Sequence, residues 1–450
     1  MGITIIQRSD LSVRKPGAKV ALVLAGGAVT GGAFKAGGLK ALDDFLVNRK
    51  TTDFDIYVGL SAGAFLAAPL AGGVTPPEML RALDGNSDDF TYLSPLDFYN
   101  PNVAEFVEKP LRYFVDLASY FPGTILDILA DSPKLVESLR SPVSDWLRRP
   151  SFANLRKIFA PIARTMVATR EFPFPLDYLP SGIFDNSAIE RYLRQNIERR
   201  RLPNDFNVLY RVRRRELFIV AMNLDTAERV VFGHNENASV TISEAVQAST
   251  ALPGFYKPAR LHGVDYVDGG VRRTANIDVA LEHGAQLVLC YNPFRPIYNR
   301  VVPRPTAEPG VYAFEGVPMA ARGLVAVLNQ VFRTLLHSRL QYGLREFQQD
   351  PRFRGDIILI EPQEVDTKFF RMNPLAFWER RLAAEHGYLS VTQSIERQFE
   401  RIRQILESYG VQLTRRETRE RLAQIRRVPA AEGTPSPLLE DVPRRNVTVA

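Results

Sequence analysis

Twice near the start of the chain, a short apolar strand pattern ends in a glycine turn and passes straight into a helix pattern. The first unit is Lys19-Val-Ala-Leu-Val-Leu-Ala25, then Gly26-Gly-Ala-Val-Thr-Gly-Gly32 as a turn. A helix follows over Ala33 to Leu46, with Phe34, Leu39, Leu42, Phe45 and Leu46 near helical spacing. The second unit is a strand over Phe54 to Val58, the turn Gly59-Leu-Ser-Ala-Gly63, and a small-residue helix from Ala64. Buried strands joined through helices in this way form a parallel layered α/β fold. Strand patterns return at Glu216–Met222, Arg229–Phe232, Gln286–Asn292 and Asp356–Glu361.

Composition narrows the class further. At 450 residues, 45% hydrophobic and 24% charged, the chain is an ordinary globular one, which excludes wholesale disorder, a collagen repeat or a disulfide scaffold. Its single cysteine, Cys290, cannot form an internal disulfide or a cysteine-rich zinc site. The net charge of +7 comes largely from short arginine runs, 199–201, 213–215 and the region 401–427. These read as solvated helix faces, or as attraction to anionic surfaces such as phospholipid headgroups. No zinc-finger spacing or aromatic RNA-binding signature accompanies them, so nucleic acid is not an expected partner. The apolar stretch Gly59 to Val74 is broken by Gly, Ser and Pro and is too short to span a bilayer. The first residues lack a signal-peptide core and a myristoylation pattern. The expectation is a protein soluble at synthesis, cytoplasmic or peripheral to a membrane.

Between about residues 76 and 180 prolines and aromatics replace strand patterns, and this stretch reads as a helical insertion covering a site. Residues 293–318 read as a Pro-rich mobile loop, and 319–350 and 374–408 as long helices. The expected organisation is a core domain over 18–365, a helical C-terminal region over 366–427 packing on it, and a disordered tail over 428–450.

Three short motifs carry chemistry. Gly59-Leu-Ser61-Ala-Gly63 fits G-x-S-x-G and joins an apolar strand to an apolar helix, as a nucleophile elbow requires. Such an elbow lifts the Ser61 hydroxyl into a site and aims a helix N-terminus at developing negative charge; the alternative is a tight turn with a surface serine. The glycine turn lacks the G-x-G-x-x-G or Lys-Ser/Thr pattern of nucleotide loops. Consecutive unhindered amides at Gly26, Gly27 and Ala28 can instead converge on an oxyanion; a purely structural turn is the alternative. The third motif, Val267-Asp268-Gly269-Gly270, would alone mark a hairpin, but Ala248-Ser-Thr-Ala-Leu-Pro253 precedes it and a strand follows.

Three stretches, VALVLAGGAVTGGAFKAGGLKAL (20–42), DIYVGLSAGA (55–64) and ASTALPGFYKPARLHGVDYVDGG (248–270), resemble the patatin-like phospholipases in content and order. The resemblance implies a three-layer α/β/α fold with a central, mostly parallel sheet. It also implies a Ser–Asp dyad that hydrolyses acyl esters of lipids: Ser61 as nucleophile, Asp268 as general base, and Gly26, Gly27 and Ala28 as backbone oxyanion donors. Gly59, Gly63, Gly269 and Gly270 would support the motifs. Two positions depart from the family pattern. Gly31 stands where the family carries Arg or Lys, and Asn276 where it often has proline.

A serine–histidine–aspartate triad is the rival arrangement, and His283, His337 and His386 all follow Asp268. His283 reads as a helix C-terminal cap, His337 as a solvent residue, and His386 as packed. The dyad is the simpler reading. Tyr113, Phe114, Leu117, Tyr120 and Phe121, flanked by Lys109 and Arg112, form an aromatic stripe suited either to lid packing or to membrane contact. No calcium-loop spacing appears, so neither a metal nor a cofactor is expected. The expected activity is that of a phospholipase A or lysophospholipase. A non-hydrolytic lipid-binding protein and a transacylase are the alternatives.

Overall fold

The computed structural model describes residues 2–85, 87, 89–130, 132–149, 154, 157, 174–305 and 312–427. The expected disordered tail over 428–450 and most of 150–173 of the expected insertion lie outside these residues. The chain divides into two compact units, one built from residues up to Asn100 and from Asp185 on, the other Pro101–Phe184.

The larger unit is organised by a nine-stranded sheet. Its strands are β1 (Ile3–Gln7), β2 (Lys19–Leu24), β3 (Ile56–Leu60), β4 (Glu216–Asn223), β5 (Arg229–Phe232), β6 (Ala259–Leu261), β7 (Val264–Asp268), β8 (Ala285–Tyr291) and β9 (Asp356–Ile360). They lie in the order β1-β9-β8-β2-β3-β4-β7-β6, with β5 also paired to β4. The five strands β9-β8-β2-β3-β4 are parallel. β1, β5, β6 and β7 join antiparallel. The central strands are apolar on both faces because helices cover both: β2 and β3 are buried almost without interruption. Flanking helices of this unit are α1 (Ala28–Phe45), α2 (Ala62–Gly72) and α3 (Pro76–Asp84); α4 (Val103–Ala130) and α5 (Ser132–Arg148) belong to the smaller unit. The larger unit continues with α6 (Ser187–Arg199), α7 (Ile242–Thr250), α8 (Leu324–Gln349) and α9 (Arg380–Arg397). The fold is a mostly parallel sheet between helical layers.

Several boundaries differ from the sequence expectation. Helix α1 opens at Ala28, not Ala33, so the glycine turn is only Ala25 to Gly27. Gly31 and Gly32 are helical despite their low propensity because α1 passes so close to Pro293 and Ala62, where a Cβ on either would lie 3.3 Å from the neighbouring side chain. Helix α3, inside the expected insertion 76–180, belongs to the larger unit: Met79, Leu80 and Ala82 are buried there. Strand β1 was not expected. It is fixed by antiparallel pairing with β9, a long-range contact. The Pro-rich stretch carries a hairpin, Val302–Pro305 with Tyr312–Glu315.

Helix α9 packs on helix α1 through two reciprocal glycines. A Cβ at Gly37 would sit 1.8 Å from the Ala384 carbonyl oxygen, and one at Gly387 1.9 Å from the Phe34 carbonyl oxygen. Backbone meets backbone there, which only glycine permits. Tyr388 on α9 also donates to Asp44 on α1 at 2.9 Å.

Candidate active site

The site forms at the carboxyl ends of β2 and β3, where ligands of parallel α/β sheets bind. β3 ends at Leu60, α2 starts at Ala62, and Ser61 bridges them with φ 55° and ψ −129°. That backbone lies outside the regions favoured by L-residues and costs on the order of 1–3 kcal/mol. The flanking glycines make it possible. A Cβ at Gly59 would lie 2.5 Å from the Ala64 Cα, and one at Gly63 1.9 Å from the Leu24 carbonyl oxygen.

Asp268 ends β7, opposite Ala221 of β4, while Val220 of β4 lies opposite Leu60 of β3. This register brings two side chains far apart in sequence to the same level of the sheet. The Ser61 side chain lies near enough to the Asp268 carboxyl to favour its ionised form, and the carboxylate accepts a hydrogen bond, at 2.8 Å, from the Gly270 amide. Gly269 lets the chain cross the sheet end: a Cβ there would lie 2.8 Å from the Val220 carbonyl oxygen. Both side chains are nearly buried, Ser61 at 7% and Asp268 at 5% exposure. Burial pushes the Asp268 carboxyl up to about 6, opposed by its hydrogen bonds and by the charge of Lys35.

The C-terminal end of α7 ties these two residues together. Ser249 Oγ accepts from the Ser61 amide at 2.8 Å and donates to the Val220 carbonyl at 2.6 Å, and the Ala251 carbonyl accepts from the Asp268 amide at 2.9 Å. Residues 248–253 were part of the resemblance, yet their local pattern assigned them no task.

Lys35 is the residue that sequence reasoning missed. It is fully buried, and its Nζ donates to the carbonyls of Ala25 and, at 3.3 Å, Gly26. In a trans peptide the carbonyl and the next amide point in opposite directions. Lys35 therefore turns the amides of Gly26 and Gly27 away from itself. A Cβ at Gly26 would lie 3.3 Å from the Ser61 Cβ, so this turn abuts the serine. Among the described residues, the amides of Gly26, Gly27 and Ala28 donate to no protein acceptor. Burial lowers the Lys35 ammonium to about 7, opposed by the charge of Asp268. Its one sequence signal was a lysine set between Phe34 and Ala36 in a run of small and apolar residues.

The two departures from the family pattern have structural counterparts. Gly31 packs against Pro293. Asn276 has φ 52°, a conformation that proline's ring forbids.

The histidines lie elsewhere. His283 bonds Glu236 at 3.1 Å and stacks on Phe218; His337 lies 3.5 Å from Glu361 and is half-buried rather than solvated. His386 interacts with Asp366, and burial lowers it. Among the described residues no histidine hydrogen-bonds Ser61 or Asp268. No three His, Cys, Asp or Glu side chains gather as a metal site among the described residues.

Beside Ser61 opens a cavity of about 120 Å³ lined by apolar side chains, among them Phe65, Leu66, Met79, Leu193, Tyr192 and Phe255. Phe65 stacks on Tyr192 with centroids 6.1 Å apart. In the smaller unit, Phe114 of the aromatic stripe is 64% exposed, while Tyr113 packs edge-on against Tyr178. No described helix is long and apolar enough to cross a membrane.

A strand-to-helix serine elbow thus lies beside a buried carboxyl at the mouth of an apolar cavity. A family model described as patatin-like phospholipase matches residues 22–281. The chain belongs to the patatin-like phospholipase family, and its general class is that of a lipid hydrolase. Among solved structures it is similar to VipD from Legionella pneumophila, at 14% identity and TM-score 0.37 over 88% of this chain and 70% of that one. A chain in the complex of full-length SpcU with full-length ExoU from Pseudomonas aeruginosa matches at 19% identity and TM-score 0.26, over 89% and 63%. Human GIVD cytosolic phospholipase A2 matches at 12% identity and TM-score 0.28, over 87% and 59%. The chain thus spans less than two thirds of the second and third of these proteins.

Proposed function

We propose that this chain hydrolyses acyl esters of phospholipids or lysophospholipids through an acyl-enzyme on Ser61. The observation that carries this reading is the strained Ser61 elbow set beside the buried Asp268 carboxylate at an apolar cavity.

An acyl chain enters the cavity past Phe65, and its ester carbonyl comes to rest above Ser61. Asp268 takes the hydroxyl proton as Ser61 Oγ attacks the carbonyl carbon. The carbonyl oxygen becomes an oxyanion and is held by the amides of Gly26, Gly27 and Ala28, with the N-terminus of α2 adding positive potential. The tetrahedral intermediate collapses, the C–O bond to the alcohol breaks, and Asp268 returns its proton to the departing alkoxide. Water then attacks acyl-Ser61, with Asp268 again the base, to release the fatty acid. No histidine is needed. A carboxyl pushed up to about 6 is a far better base toward a serine than an ordinary one.

Turnover of a phospholipid panel by wild type, Ser61→Ala and Asp268→Asn tests this reading. The expected result is free fatty acid from wild type alone. Acyl transfer to an added alcohol in place of fatty acid would make the protein a transacylase. Vesicle binding with no product from wild type would make it a lipid-binding protein.

A further inference from the structure

The first half of α8 is amphipathic in the wrong direction for a soluble helix. Leu324, Val325, Leu328, Val331, Phe332 and Leu335 are between 45% and 76% exposed. At 100° per residue they share one stripe about 120° wide. The opposite face, turned toward the protein, is polar. Arg333 is 4% exposed and donates to the carbonyls of Pro293 and Arg295, both at 3.2 Å. Gln330 exchanges hydrogen bonds with the Ile297 backbone at 3.0 and 2.9 Å. Only further along do Leu340 and Leu344 turn inward and join the core. A contiguous apolar stripe left in water marks a surface built for a partner.

The charge pattern selects the partner. From Val317 to Arg345 there is no aspartate or glutamate, while Arg322, Arg339 and Arg345 supply positive charge. An apolar stripe with cationic flanks matches a layer of anionic headgroups over acyl chains, and two copies of it repel each other. The helix is also coupled to the site. Pro293, gripped by Arg333, packs on the glycine turn, where a Cβ at Gly27 would lie 2.7 Å from its Cγ.

We propose that α8 is the membrane-docking element of this protein, seating its exposed apolar stripe in an anionic lipid surface. The proposal rests on the lipid-hydrolase reading for its purpose, but its test separates from it. Wild type and the double variant Leu328→Glu, Phe332→Glu are sedimented with phosphatidylcholine vesicles with and without phosphatidylserine. Both are also assayed on a soluble short-chain ester and sized in solution. Wild type is expected to bind the anionic vesicles, and the variant to bind at least about tenfold more weakly. Both replaced side chains are solvent-facing, so turnover of the soluble ester should stay within about twofold. Equal vesicle binding by the two proteins, or no binding by wild type, overturns the proposal. So does a wild-type dimer that the variant dissociates while vesicle binding is unchanged, which assigns the stripe to a second copy. A wild type that binds vesicles but cleaves no ester contradicts the hydrolase reading alone.

Discussion

The Ser61 amide is held by the Ser249 hydroxyl at 2.8 Å, and that hydroxyl donates onward to the Val220 carbonyl at 2.6 Å. One small side chain thereby pins a strained elbow to the neighbouring strand. Ser249→Ala removes the acceptor of a buried amide, which costs about 1–3 kcal/mol. Urea unfolding should show a lower midpoint with unchanged slope, and ester turnover should fall because Ser61 is no longer held in place. An unchanged midpoint would mean the elbow is fixed by its glycines alone.

Activity should rise with pH through about 6, because burial raises Asp268 to that value and only the carboxylate accepts the serine proton. Lys35→Met removes a cation that favours the carboxylate, so the rising limb of kcat/KM should move to higher pH. The substitution also releases the carbonyls that orient the Gly26 and Gly27 amides, and kcat should drop about 10²-fold with KM little changed. A methionine that merely filled the same space would leave the limb where it was. For stability the signs run oppositely. Between 3.8 and about 6 the folded chain binds more protons at Asp268 than the unfolded chain, so this group's contribution falls as pH rises. Between about 7 and 10.5 the unfolded chain binds more protons at Lys35, so that contribution rises with pH.

Gly387→Ala tests whether α9 holds α1 in place. The added Cβ would meet the Phe34 carbonyl at 1.9 Å, and the helices must separate. Overpacking of this kind costs about 1–3 kcal/mol. Thermal unfolding should show the loss, and turnover should fall with it because Lys35 adjoins Phe34 on α1.

The elbow was legible in the sequence because G-x-S-x-G encodes a local backbone event: Gly59 and Gly63 are small where strand and helix touch. Asp268 was legible only by resemblance, since its nearness to Ser61 depends on the pairing of β7 with β4, a contact no local pattern records. Lys35 stayed hidden because the glycines delayed the expected start of α1 by five residues, from Ala28 to Ala33, leaving its inward face misjudged. The stripe on α8 was hidden differently. Periodicity shows that a helix has an apolar side, but not which side the rest of the fold covers.

Ser61 as the nucleophile, with Asp268 as its base, is most directly tested by mapping a fluorophosphonate adduct by peptide mass spectrometry on wild type, Ser61→Ala and Asp268→Asn. The adduct is expected on Ser61 of wild type, absent from Ser61→Ala, and formed at least about 10²-fold more slowly on Asp268→Asn. An adduct on another residue, or undiminished labelling of Asp268→Asn, would contradict the account.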